Sequence, residues 1–228
     1  MEYDFETVVR TGEENLKKQW TPAPIREAGY VSFEAAEMDF PTAPSIIRSV
    51  SELVQKGNIG YPTITPAYQE RVCWWMAHAR EWSIRPEWIV PVMGTIYSVA
   101  TAIRMVTKPG EGIITLAPGY NRYEQAARRL GRESSVSVMR ESAEGYRIDF
   151  ADLEQKMAAP ENHLFVLCNP HNPTARVWTE KELTEIARLS AKYQVLVFSD
   201  EIFAEVTFDG RRTTPYCEIE EGRPYALG

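Results

Sequence analysis

Cysteine is scarce in this sequence: Cys73, Cys168 and Cys217 are spread along 228 residues without a C-x-x-C pair. An odd, widely spaced set supports neither a disulfide framework nor a zinc knuckle, and it fits a reducing, cytoplasmic setting. Positive charge is also in deficit, since 25 Lys and Arg against 32 Asp and Glu leave a net charge of -7. A surface for the nucleic-acid backbone needs clustered cations to release counterions, so nucleic acid is not an expected partner. Long apolar runs are missing. The longest uncharged stretch, Trp88 to Ile103, is broken by Pro91 and Gly94 and is too short to span a bilayer comfortably, so no membrane segment is expected. The first twenty residues carry Glu2, Asp4, Glu6, Glu13 and Glu14 and lack the apolar core of a secretory signal. There is no G-x-x-x-x-G-K-[ST] loop, and Gly110-Glu111-Gly112 is not a dinucleotide fingerprint.

What is present is an ordinary globular composition, 44% hydrophobic, with length enough for one sizeable core. Ile46, Ile47, Val50, Leu53 and Val54 recur at helical spacing after Pro44, which predicts a surface helix. A second helix begins at Thr65-Pro66, with His78 off its apolar stripe. Ile89 to Met93, Gly112 to Ala117, Leu164 to Cys168 and Val195 to Ser199 read as short apolar strands, although Pro91 argues against a central place for the first. Ser134 to Met139 alternates and reads as a half-exposed strand. Helical patterns lie between them: Gly94 to Thr107, Asn121 to Leu130 ended by Gly131, and Thr179 to Tyr193 opened by a Thr179-x-x-Glu182 capping box. This alternation predicts an α/β fold, a mostly parallel sheet with helices on both faces.

Sheets of that kind bind ligands at the carboxyl ends of their strands. Gly94-Thr95-Ile96 lies where a strand gives way to a helix, and backbone N–H groups there suit a phosphate; Gly94 could equally just permit a tight turn. Pro118-Gly119-Tyr120 follows the next strand. Asp200 emerges from the buried strand Val195 to Ser199, where it either bonds local amides or meets a cation such as a protonated pyridine nitrogen. Asn169-Pro-His-Asn-Pro-Thr174 is more specific, because two Asn-Pro pairs directly after a buried strand make a rigid polar turn. His171 within it has no neighbouring metal ligand in sequence.

Taken together, these motifs resemble the N-terminal part of the fold-type I pyridoxal-phosphate enzymes of the aminotransferase class I/II superfamily, and within it the MalY/PatB group of cystathionine beta-lyases. The resemblance runs from about residue 30 onward, through Glu37-Met-Asp-Phe40, Pro41-Thr-Ala-Pro44, Gly60-Tyr61, Ala117-Pro-Gly-Tyr120, Asn169 to Thr174 with Val177-Trp178, and Ser199-Asp-Glu-Ile202. It implies pyridoxal 5'-phosphate as cofactor, with Gly94 at the phosphate turn and the amides of Thr95 and Ile96 on the phosphate. Tyr120 would stack on the ring, Asn172 would bond the ring oxygen and Asp200 the ring nitrogen. Tyr61, otherwise an exposed turn aromatic, would reach the phosphate of a neighbouring subunit, making the sites a shared property of a homodimer. Residues 1–45 would form an arm and a segment of a smaller domain, and 46–228 an incomplete cofactor-binding large domain.

Three features depart from the family pattern. Ala175 stands where Gly is usual, so the turn should adopt a geometry that a Cβ tolerates. Phe203 replaces a His or Tyr, leaving Asn172 alone on the ring oxygen. The last lysine is Lys192, before Asp200, so the Schiff-base lysine is not in this chain. Pro224-Tyr-Ala-Leu227 looks like the opening of the next strand, and the simplest expectation is a truncated enzyme. With an amino-acid substrate, the resemblance implies beta-elimination from cystathionine or cysteine S-conjugates to pyruvate, ammonia and a thiol. Transamination is the alternative, and a non-catalytic binding protein on the same fold is a further one.

Overall fold

The computed structural model describes residues 3–8, 16–30, 36–143, 145–208 and 210–228. Glu2, Glu13 and Glu14, used above against a signal sequence, and parts of the 1–45 segment lie outside the described residues. Two compact units divide the chain, 1–63 and 64–228.

The first unit holds α1 (Leu16–Trp20), α2 (Ala23–Glu27) and α3 (Pro44–Gln55). Lys17 Nζ lies 3.0 Å from Asp39 Oδ2, and Phe5 meets Phe40 edge to face at 6.4 Å between ring centres. Pro44 opens α3, where its missing N–H costs nothing, and the chain leaves the helix through Gly57 at φ +69°. The helix forms where its spacing predicts, but the stripe of Ile46, Ile47, Val50, Leu53 and Val54 is exposed, whereas an amphipathic surface helix covers its apolar face.

The second unit begins with α4 (Pro66–Ala79), capped by Thr65, whose hydroxyl accepts from the Tyr68 amide at 3.2 Å. The predicted strand over Ile89–Met93 is not one. A short 3-10 turn at Pro86–Trp88 precedes it, and Val90, Val92 and Met93 are exposed with no sheet partner among the described residues. Pro91 lacks a donor, which disfavours recruitment to a ladder. Beyond it come α5 (Thr95–Val106), β1 (Gly112–Ala117), α6 (Arg122–Arg129), β2 (Glu133–Val138), the small hairpin β3 (Arg140–Ser142) and β4 (Gly145–Arg147), α7 (Phe150–Ala158), β5 (Asn162–Cys168), α8 (Glu180–Tyr193), β6 (Leu196–Asp200) and β7 (Ala226–Leu227). β2, β1, β5, β6 and β7 pair in that order, every pair parallel. The hairpin and α7 went unpredicted, although Asp149 caps α7 through bonds from the Ala151 and Asp152 amides.

Alternation along the strands sorts the side chains onto two covered faces. Ile113, Leu164, Val166, Cys168 and Phe198 pack with α5 and α6, around Val99, Ile103, Tyr123 and Ala127. Ile114, Leu116, Phe165, Leu167 and Val197 pack with α7 and α8, around Leu153, Met157, Leu183 and Ile186, with Trp178 and Tyr216 in the same core. β2 is an edge strand with a mixed burial pattern, as its alternation predicted.

The capping box on α8 is complete: Thr179 Oγ1 accepts from the Glu182 amide, and the Glu182 carboxylate accepts from the Thr179 amide at 2.9 Å. Glu182 also takes both contacts from Arg176 Nη2, at 2.9 and 3.0 Å, while Arg176 Nη1 donates to the Tyr146 carbonyl. Replacing Thr179 by Ala is expected to cost about 1 kcal/mol. Glu182→Ala is expected to cost more, since it leaves a partly buried guanidinium without its carboxylate. Urea unfolding of the two variants checks the ranking, and equal losses would show that the Arg176 contact contributes nothing.

Candidate active site

β6 delivers Asp200 to the carboxyl edge of the sheet on the face covered by α5 and α6. The β5–β6 register sets Asp200 opposite Cys168, and the Asn169 amide extends the ladder by donating to the Asp200 carbonyl at 2.8 Å. Asp200 is 5% exposed and has no cation in contact among the described residues. Its Oδ2 accepts a 2.5 Å hydrogen bond from the Tyr123 hydroxyl, and its Oδ1 accepts from the Ile202 amide at 3.2 Å. Burial pushes its pKa up, and these two donors pull it partly back. Burial and the neighbouring carboxylate push the Tyr123 phenol far above its ordinary range, so the phenol is the donor in this bond.

Tyr123 was not among the residues singled out in the sequence. It lies on α6 at a core spacing and reads there as one more buried aromatic, which at 3% exposure it also is. Its ring meets Tyr120 edge to face, 5.3 Å between centres, so Tyr120, Tyr123 and Asp200 form a continuous contact chain. Tyr120 itself is 37% exposed, leaving its ring available at the sheet edge.

Gly94 is the N-cap of α5 at φ +98°, and no side chain caps the first-turn amides of Thr95 and Ile96. Only a residue without a Cβ adopts that φ readily, so here the glycine is conformationally required. The short connection from α5 to β1 makes the helix run antiparallel to the strands, which puts its N-terminus at the same carboxyl edge as Asp200 and Tyr120. A helix N-terminus with free amides is an anion site.

The turn after β5 is held from several sides. The His171 amide donates to the Arg176 carbonyl at 2.7 Å, and the Ala175 amide to the His171 carbonyl at 2.8 Å. Trp178 Nε1 donates to the Cys168 carbonyl at 2.8 Å, while Arg176 lies over the Trp178 ring at 4.8 Å. Both Asn-Pro bonds are cis, and Asn172 is half-buried at the edge of the site. The expectation for Ala175 needs correcting: its φ is +54°, the left-handed region, so the Cβ is accommodated only with backbone strain. Phe203 sits half-buried in the turn that follows β6. Tyr61 belongs to the first unit, where its side chain is fully exposed.

A second carboxylate follows at once. Glu201 takes hydrogen bonds from the Ser199 hydroxyl at 2.8 Å and the Tyr216 amide at 2.9 Å, and Arg80 Nη1 pairs with it at 3.1 Å. Arg80 also reaches Glu205 at 2.7 Å, so the turn carrying Asp200 is anchored to the end of α4. Lys192 is remote from this site, pairing with Glu154 of α7 at 2.7 Å beside the other face of the sheet.

A parallel sheet with an uncapped helix N-terminus, an exposed aromatic ring and, among the described residues, a buried carboxylate without a cation along one edge has the architecture of the ligand-binding α/β proteins. The chain matches the aminotransferase class I and II family over residues 28–226 and belongs to it. It is 30% identical over 212 residues, 93% of its length, to cystathionine beta-lyase PatB of Bacillus subtilis, and 28% identical over 222 residues to MalY of Escherichia coli. The structure superposes on cystalysin from Treponema denticola, which contains a pyridoxal 5'-phosphate cofactor, with a TM-score of 0.89 at 29% identity; the match covers 99% of this chain and 58% of that one. The chain thus spans about half the length of the curated relatives it matches, 55% of PatB and 57% of MalY.

His171 yields a prediction of its own. It is 3% exposed, with Nδ1 at 2.9 Å from Thr174 Oγ1, and burial, helped by the Arg176 charge, lowers its pKa from 6.5 to about 4. Between those values the unfolded chain holds a proton that the folded one excludes, so stability is present above pH 6.5 and is lost as the pH falls towards 4. The loss attributable to this residue is about 3 kcal/mol. Unfolding titrations of the protein and of His171→Gln across that window should show a flatter profile for the variant; identical slopes would mean the imidazole is not held neutral.

Proposed function

We propose that the whole protein is a pyridoxal-phosphate-dependent carbon-sulfur beta-lyase, acting on cystathionine or related cysteine S-conjugates and releasing pyruvate, ammonia and a thiol. The observation that carries the reading is Asp200, a buried carboxylate with no cation beside it among the described residues, at the sheet edge shared by Tyr120 and the α5 N-terminus. A ring that brings its own protonated nitrogen, a flat face and a phosphate fits that set of groups. Bound there, pyridoxal phosphate supplies a sink for the electron pair left when the substrate loses its alpha proton.

The chain's own groups divide the work. Asp200 holds the proton on the ring nitrogen, and Tyr120 covers one ring face. The Thr95 and Ile96 amides, freed by the Gly94 turn, hold the phosphate, and the Asn172 amide holds the ring oxygen. Tyr61, exposed on its own subunit, reaches the phosphate bound by a second subunit, so the sites belong to a cytoplasmic homodimer. Residues 1–45 serve as arm and small-domain segment, and 46–228 as the cofactor-binding domain. The names of the relatives support the lyase over the aminotransferase, the second reading, which the family as a whole supports.

The whole protein incubated with cystathionine is expected to release pyruvate and thiol. Conversion of the cofactor to its aminated form by an amino donor, without pyruvate, would establish the aminotransferase instead. Asp200→Ala is expected to lower kcat by about a hundredfold or more, because it removes the charge opposite the ring nitrogen. A loss of less than tenfold would mean that the ring is placed elsewhere. For the shared site, mixing Tyr61→Phe and Asp200→Ala subunits should restore part of the activity that each lacks, and full subunit exchange without recovery would refute it.

A further inference from the structure

We propose that Tyr123 is a positioning residue for Asp200: its hydroxyl, 2.5 Å from Oδ2, fixes the carboxylate's orientation and keeps it anionic before any cation reaches it. This rests on the reading of Asp200 as the partner of a ring nitrogen, and it adds a residue that acts through Asp200 without touching the ring.

The hydroxyl bonds Oδ2 of Asp200 and lies beside the Cys168 thiol. Tyr123 and Asp200 are buried, at 3% and 5% exposure, and the bond joins α6 to the end of β6 across 77 residues of sequence. An anion buried without a cation loses hydration that only hydrogen bonds replace. Among the described residues Asp200 has two such donors, the Tyr123 hydroxyl on Oδ2 and the Ile202 amide on Oδ1. The phenol is the only one contributed by a distant element, so it sets the direction in which the carboxylate faces. The titratable groups facing Asp200 are Tyr123 from α6, the buried Cys168 thiol from β5 and Glu201 along its own segment. Burial pushes Cys168 upward, so it stays a neutral thiol and supplies no charge; Glu201 is engaged with Arg80.

Tyr123 also abuts Tyr120 edge to face. One side chain therefore braces both the aromatic face and the carboxylate, so the two keep their mutual spacing before the cofactor binds. A charged acceptor strengthens a hydrogen bond, and the low dielectric of a dry site strengthens it further. Without the hydroxyl, Asp200 would either take up a proton or rotate towards water, and in both cases it would be a poorer partner for a cation.

The test uses the full-length protein, labelled with carbon-13 at the Asp side-chain carboxyl, the Asp200 signal being identified by its loss in Asp200→Asn. Its titration is followed with the cofactor removed, in the parent, in Tyr123→Phe and in Leu153→Ala, a cavity variant on the opposite sheet face. Tyr123→Phe is expected to raise the Asp200 midpoint by about one pH unit or more, the size of one hydrogen bond to a charged group. Leu153→Ala should leave it in place while losing stability. An unchanged midpoint in Tyr123→Phe overturns the proposal. If that variant does not fold, 3,5-difluorotyrosine at position 123, a stronger donor of nearly the same shape, should lower the midpoint, and no shift there also overturns it. Pyridoxal phosphate binding, read by absorbance in the parent protein, tests the underlying reading separately: its absence refutes the cofactor assignment, whereas the carboxyl titration reports on Tyr123 either way.

Discussion

The register between β5 and β6 is the constraint on which the rest of the site depends. Side chains on a strand alternate faces, so pairing Cys168 with Asp200 sends both towards α5 and α6, and Ser199 the other way. A slip of one residue would turn the carboxylate towards Trp178 and the α7–α8 core, away from the Tyr123 hydroxyl. That register is fixed by apolar packing on both faces at once: Val166, Cys168 and Phe198 against one helix layer, Phe165, Leu167 and Val197 against the other. The chemistry at the sheet edge is therefore held in place by residues that take no part in it. Hydrogen bonds then finish the job locally, with Asn169 to the Asp200 carbonyl and Arg80 to Glu201 fixing the chain on either side.

Much of this was legible in the sequence, for a physical reason. Strands buried on both faces are written as continuous apolar runs, and the polar turns that follow them mark the edge where a ligand is bound. The turns carrying Tyr120, Asn172 and Asp200 were placed at the sheet edge that way, whereas Gly94 was reached from a strand, Ile89–Met93, that does not form. Ile89–Met93 has the same apolar writing but no neighbour to pair with, since an apolar run records a tendency to be covered and says nothing about what covers it. Tyr123 was missed for the opposite reason. Nothing in its local sequence distinguishes a phenol with a buried acceptor from a core aromatic, because its partner lies 77 positions away. Helix α7 was overlooked although Asp149, Leu153 and Met157 supply a cap and an i, i+4 pair.

Ala175 and His171 show what rigidity costs at the turn that carries Asn172. The turn keeps a non-glycine residue at φ +54° and excludes a proton from a buried imidazole. The first is unfavourable throughout and the second only below pH 6.5, and the Arg176 contacts to Glu182, Tyr146 and Trp178 hold the turn in this shape. The same Glu182 closes the capping box of α8. One carboxylate thus couples the start of a helix to the shape of the site turn, so a change in the helix end is felt at Asn172.

The edge strand β2 has a bearing on how crowded chains behave. Its outer side offers backbone groups that another copy could pair with, the usual route to edge-to-edge aggregation. Six residues, Glu-Ser-Ser-Val-Ser-Val, make it a poor template: it is short, half polar and opened by a carboxylate. A central strand such as β5, with its run of buried aliphatics, would nucleate stacking if it stood in that position. The order of strands thus keeps the most apolar segments innermost and gives this edge to a short, half-polar one.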